Sequence, residues 1–256
     1  NCFFYDTGNS IYIRTVKTKR NITIEYNSFY YCNNGAKDKT AVSLNGTFYL
    51  WFMYNCFYNC TCDSGCLTID TNYDPVSTNV LYMNTFSSNG GLKPTVYLNR
   101  LHNKNEDFFQ YNNFTSSRTT DVFGIVFMQA VEFTEKFNTY ANCQNQLCIL
   151  AHASTISNNM GSVFVNNTVT GSSAPGAVFL KCTDNQNWDG KFKTNLDSAY
   201  FFGNTLGNQI YTIYVSSLYA VYNINDKAKK KENLLYISNC YADTFTSSIT
   251  QTEYHE

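Results

Sequence analysis

The densest group of reactive side chains in the chain is Cys56-x3-Cys60-x-Cys62-x3-Cys66. Four thiolates converging tetrahedrally could hold zinc, usually as Cys pairs two to four residues apart with His helping. The spacing nearly permits such a site, but disulfides are the favoured reading, and neither a metal nor a cofactor is expected. Cys32, Cys60 and Cys143 each stand five residues after a recurring Asn. Cys32 and Cys60 fall in consecutive repeats, where stacked positions roughly 4.8 Å apart suit the Cα separation of a disulfide. Cys143 and Cys148 could close one turn. The candidate disulfide residues are therefore Cys32, Cys56, Cys60, Cys62, Cys66, Cys143 and Cys148, with connectivity open. With Cys2, Cys182 and Cys240 they make 10 Cys. An even count in a weakly charged chain points to an oxidising compartment.

Catalysis would need paired carboxylates, or acidic metal ligands beside a base, on one face. The position 14 to 15 residues after successive recurring Asn reads Asp70, Asn99, Val126, His152 and Lys181. His152 beside Lys181 is the most reactive-looking pair, but no second carboxylate joins Asp70 and Val126 interrupts the row. Asp184 and Asp189 flank Trp188 in a polar segment that could meet a sugar. His102 and His255 have no partner pattern, and no glycine-rich phosphate loop occurs. No catalytic residue is assigned.

What positions these residues is a repeat. The chain has 256 residues and a formal net charge of −1, with 34 Asn, 28 Thr, 21 Tyr and 20 Phe but 3 Pro. That balance excludes a basic nucleic-acid face and compositional disorder, and favours strands joined by Asn-bearing turns. The pattern apolar-x-x-Asn-x-apolar recurs around Asn27, Asn55, Asn84, Asn112, Asn138, Asn167, Asn204 and Asn239, at spacings of 28, 29, 28, 26, 29, 37 and 35. Glu135 is the one miss at its first position. A second strand-like segment follows most of these Asn, and no helical apolar period is present.

A unit of this kind buries its apolar side only by stacking on its neighbours. The expected fold is all-β: one domain over residues 1–256, a right-handed parallel β-helix of about eight coils. The eight Asn should form a ladder at a turn with positive φ. The core column two residues later is Phe29, Phe57, Phe86, Phe114, Tyr140, Val169, Leu206 and Tyr241. The longer intervals place insertions near 184–198 and 221–233, the second holding Lys227-Ala-Lys-Lys-Lys231, read as a solvated loop. Sequons at Asn21, Asn45, Asn59, Asn113 and Asn166 mark where glycans could sit. Chance alone predicts about six.

Phe-x-x-Asn occurs at Phe52–Asn55, Phe86–Asn89, Phe109–Asn112, Phe164–Asn167 and Phe201–Asn204, with degraded glycine motifs at Gly90-Gly91-Leu92, Met160-Gly161-Ser162-Val163 and Pro175-Gly176-Ala177-Val178. In these the chain resembles the polymorphic-membrane-protein-like (Pmp-like) surface β-helix family. The resemblance implies a large surface or secreted protein whose rod displays loops for adhesion. The expected function is thus non-catalytic adhesion at an extracellular or cell-surface location, with carbohydrate or protein of a cell surface or matrix as partner. A polysaccharide lyase or hydrolase and an extracellular filament subunit are the alternatives. The chain opens at Asn1 without Met or leader, as a mature product or excised piece does. No apolar run reaches the roughly 18 residues of a membrane span, so any membrane contact would come from a segment outside the chain. A strand-like start without a polar cap leaves end-to-end self-association open.

Overall fold

The computed structural model describes residues 1–8, 10–15, 20–34, 40–70, 78–100, 106–120, 124–171, 176–183, 192–207, 211–218, 233–243 and 247–250. Every strand pairing among them is parallel, and they contain no helix, hence none long and apolar enough to cross a membrane. The fold is a parallel β-solenoid.

Each coil visits three sheets. A nine-stranded sheet stacks three-residue strands such as Ser28–Tyr30, Cys56–Tyr58, Thr85–Ser87 and Asn113–Thr115. A seven-stranded sheet stacks two-residue strands, from Asn33–Asn34 and Thr61–Cys62 to Thr205–Leu206. A fifteen-stranded sheet closes the circuit. Two long strands, Val126–Lys136 and Leu150–Met160, run through both halves of it. The first pairs Val96–Arg100 with one end and Glu106–Gln110 with the other.

Period-two alternation sends one residue of each pair inward. Phe4, Phe29, Phe57, Phe86, Phe114, Tyr140, Phe164 and Phe201 form one ring column, with centroids 4.8, 4.4, 4.9, 4.7, 5.2, 4.7 and 4.8 Å apart. Neighbouring planes tilt by 11° or less. Each such contact contributes about 0.5–1.5 kcal/mol beyond area burial, so the column is a main element of the core.

This register corrects the expected core after Tyr140. Phe164 and Phe201 occupy the column, followed by Ala242. Val169 and Leu206 instead pair with each other in the seven-stranded sheet. Coil lengths along the first corner are 28, 29, 28, 26 and 24 residues from Asn27 to Ser162. The evenly spaced part is therefore about five coils rather than eight, and later coils carry the extra length. The expected insertion at 184–198 is partly strand, because Phe192–Asp197 pairs with Ile156–Met160. Residues 221–232, including Lys227–Lys231, lie outside the described residues.

Candidate binding surface

Two corners flank each strand of the nine-stranded sheet, and both follow one rule. An inward residue is followed by an outward one, then by one in the left-handed region, then by a short residue that is polar except at Ala199. At the first corner the left-handed residues include Tyr26 (φ 56°), Tyr54 (56°), Met83 (52°), Tyr111 (56°) and Phe137 (54°). The Asn thus stands after the positive-φ residue, where it had been expected to be that residue. The side chains of Asn55, Asn84, Asn112 and Asn138 are buried and continuous. Asn55 Oδ1 accepts from Asn27 N and Nδ2 (both 3.1 Å), and its Nδ2 donates to Asn84 Oδ1 at 3.2 Å and to Ile24 O at 2.8 Å. Asn84 Nδ2 likewise reaches Phe52 O at 2.8 Å, and Asn138 Nδ2 reaches Phe109 O at 2.8 Å. The amide satisfies backbone groups that the corner would leave orphaned. Phe-x-x-Asn is this unit: the Asn caps the carbonyl of the inward apolar residue one coil away.

The eight-member ladder splits in two. Ser162 succeeds Asn138 at the first corner, taking its N–H at 3.1 Å. Asn167 and Asn204 belong to the second corner, where Asn167 Nδ2 donates to Asn204 Oδ1 at 3.0 Å and to Tyr140 O at 2.9 Å. Asn239 is exposed at a positive φ of 53°, one residue before the first-corner position, which Cys240 fills.

The same geometry places four of the cysteines, Cys32, Cys60, Cys143 and Cys240. Cys32, Cys60, Asn89, Ser117, Cys143, Asn167 and Asn204 succeed one another at the second corner. Cys60 Sγ donates to Phe29 O (3.5 Å) and Cys143 Sγ to Phe114 O (3.7 Å), the carbonyls an Asn amide caps elsewhere. Cys240 Sγ points at Leu196 O (3.7 Å) in the same way at the first corner. The nine described cysteines outside position 182 carry no disulfide in this structure, among them the expected candidates Cys32, Cys56, Cys60, Cys62, Cys66, Cys143 and Cys148. A corner thiol is already engaged with a backbone carbonyl, and burial pushes the Cys62 and Cys143 thiols up to about 12. No metal-holding group of His, Cys, Asp and Glu occurs among the described residues.

The reactive-looking row also separates. Asp70 pairs with Asn99, Asn99 with Gln129, Gln129 with Ala153, and Ala153 with Lys181. His152 pairs with Met128 and Leu180, one step away from Lys181, and Val126 is a buried core residue. His102, Asp184, Trp188, Asp189 and His255 lie outside the described residues.

Ionisable groups inside the rod serve the interior. Glu135 continues the inward column Phe52, Leu81, Phe109 and is buried. Its Oε1 accepts from Ser162 Oγ (2.6 Å), Asn138 Nδ2 (2.8 Å) and Tyr140 OH (3.4 Å). Burial pushes this carboxyl up to about 7 against those bonds. Asp107 forms a buried ion pair with Arg100 and accepts from Asn79 N at 2.7 Å; burial still raises it to about 6.

What remains for a partner is the outside, and two features stand out. First, the left-handed residues of the first corner are exposed: Tyr26 54%, Tyr54 39%, Met83 42%, Tyr111 44% and Phe137 43%. With Tyr82 they form a chain of rings, Tyr26–Tyr54–Tyr82–Tyr111–Phe137, at 4.8, 5.9, 5.5 and 5.2 Å. Phe3, Tyr5, Tyr30, Tyr31 and Tyr58 make a second cluster on the adjoining sheet and corner, with Phe3–Tyr30 at 5.0 Å and Tyr5–Tyr31 at 5.6 Å. Second, a groove of about 360 Å³ opens at the seven-stranded sheet over Gly90 and Gly91, beside Arg118, Gln144 and Gln146. The aromatic row had a signal in the repeat itself, since the residue before each of the first five recurring Asn is Tyr, Tyr, Met, Tyr and Phe. For the groove the only signal is the Gly90-Gly91 pair of a degraded glycine motif. Of the sequon residues, Asn21, Asn45, Asn113 and Asn166 are exposed and Asn59 is half-buried.

Compared with known family models, curated proteins and solved structures, the chain matches none.

Proposed function

We propose that this chain is a non-catalytic rod of an extracellular or cell-surface protein that holds a carbohydrate or protein ligand of a surface or matrix. The observation that carries this reading is the choice of residue at the first corner. A left-handed backbone costs a non-glycine residue roughly 1–2 kcal/mol, and Gly or Asn would relieve most of it. Instead, successive coils place Tyr26, Tyr54, Met83, Tyr111 and Phe137 there and leave them in solvent. Strain kept in favour of exposed bulky side chains suits a contact surface, and aromatic residues are the ones binding surfaces favour. The resemblance to Pmp-like surface proteins supports the same reading. The test is retention of the purified domain on immobilised mucins, glycosaminoglycans and matrix proteins. Tyr26→Ala, Tyr54→Ala and Tyr111→Ala combined should reduce retention at least tenfold with the circular dichroism unchanged. Full retention by that variant, or no retention of the unaltered domain, rejects the proposal.

A further inference from the structure

The groove over Gly90 and Gly91 lies one sheet away from the aromatic row and differs from it in chemistry. Its floor is bare because two consecutive glycines occupy the outward and inward positions of one strand. Gly91 has no alternative, since a Cβ there would meet the Cys62 carbonyl oxygen at 2.1 Å. Gly90 does have one. A Cβ there would sit 3.6 Å from Arg118 O and 3.8 Å from Thr61 Cγ2, ordinary contact distances. The interior therefore does not require glycine at 90, and its effect is to keep the groove open. Around that floor stand the exposed Arg118, Thr120, Gln146 and Thr170 and the half-buried Gln144, which rise from successive coils. They supply amides, hydroxyls and one guanidinium. Among the described residues, Arg118 is the only charged one lining the groove.

Amide and hydroxyl side chains that both donate and accept suit a polyhydroxylated ligand. A planar cation with paired donors suits a carboxylate, and such charge-assisted bonds are the stronger kind. The volume lies within the range of small-molecule sites. We propose that this groove binds one acidic sugar unit of a saccharide, its carboxylate on Arg118 and its hydroxyls on Gln144, Gln146 and the two threonines. The inference rests on the binding-rod reading above and adds a ligand class and a second contact site to it.

The experiment is calorimetric titration of the whole chain with oligogalacturonate, with a sulfated but carboxylate-free galactan oligomer, and with a neutral galactan oligomer. Oligogalacturonate should bind, the neutral oligomer should bind at least tenfold more weakly, and Arg118→Gln should weaken the acidic ligand about ten- to a hundredfold. Gly90→Leu should abolish binding while the fold is retained by circular dichroism, since its Cβ is accommodated. Equal binding of the sulfated oligomer, or acidic binding untouched by both variants, overturns the carboxylate assignment, as does absence of acidic binding. The triple Tyr→Ala variant separates the two readings. Acidic binding that survives it but not Arg118→Gln upholds the groove even where the aromatic reading fails. Retention on matrices lost in the Tyr variant alone, with no groove effect, upholds the row and removes the groove.

Discussion

Glu135 Oε1 lies 2.8 Å from Asn138 Nδ2, in the place where earlier coils offer the amide oxygen of the next ladder Asn. Ser162 is too short to reach back, and the carboxyl on the neighbouring inward position completes the bond while also taking the Ser162 hydroxyl. Glu135, followed in the same inward column by the buried Asn159, is therefore the terminus of the ladder.

Stability should fall as pH rises through neutrality. A carboxyl whose native pKa is raised above its unfolded value binds its proton more tightly when folded. The stabilisation is complete below the unfolded value of roughly 4.3 and is lost as pH rises through about 7 for Glu135. Asp107, raised to about 6, acts in the same direction. The combined loss between pH 5 and 8 is about 2–4 kcal/mol. Thermal melts across that range check it, and Glu135→Gln should flatten the upper part of the profile. A melting temperature constant from pH 5 to 8 would contradict the assignment.

The ladder should be energetically unequal along its length. Asn84→Ala removes the cap on Phe52 O and the acceptor for Asn55, both buried. It should cost about 2–4 kcal/mol in urea unfolding. Asn239→Ala, at an exposed residue, should cost under about 0.5 kcal/mol. Equal costs would defeat the corner register.

Met83 carries the left-handed strain without contributing a ring to the row. Met83→Gly should raise stability by about 0.5–1 kcal/mol. A destabilised protein would show that the Met83 side chain has a packing role of its own.

The corner thiols can be distinguished from disulfides by labelling with a maleimide. In native protein Cys2 should react readily, and Cys32, Cys60, Cys62, Cys66, Cys143 and Cys148 should be protected by burial. In denaturant without reductant all of them should react, whereas disulfide partners would stay unlabelled. Cys60→Asn should be accepted, because the next coil already holds Asn89 at that corner with the same cap on the carbonyl of an inward Phe.

The fold was legible because its signal is chemical and periodic. A buried amide followed two residues later by an inward ring recurs through Asn138 at intervals of 26 to 29 residues. The frame slipped at the next coil because Ser162 holds the first corner and Asn167, five residues on, is followed by apolar Val169. That segment imitates the pattern while belonging to the other corner. His152 and Lys181 looked adjacent for a related reason: counting from the nearest Asn is off by one residue in backbone register where coil length changes. The corner role of Cys32, Cys60 and Cys143 was not legible, because a thiol standing in for an amide has no distinguishing spacing. Arg118 and the bare floor beside it depend on neighbours one coil away, which a linear chain does not display.

The two corners of every coil stand five residues apart, as in Asn27 and Cys32, Asn84 and Asn89, or Ser162 and Asn167. Coil length among the described residues nonetheless runs from 24 to 41 residues. All variation is therefore accommodated on the other flank, between the seven-stranded sheet and the return to the corner. The solenoid thus has a calibrated edge and an elastic one. Inserted or deleted segments leave the pitch of the aromatic row intact, so the row can serve as a ruler of fixed graduation while the opposite flank diversifies freely.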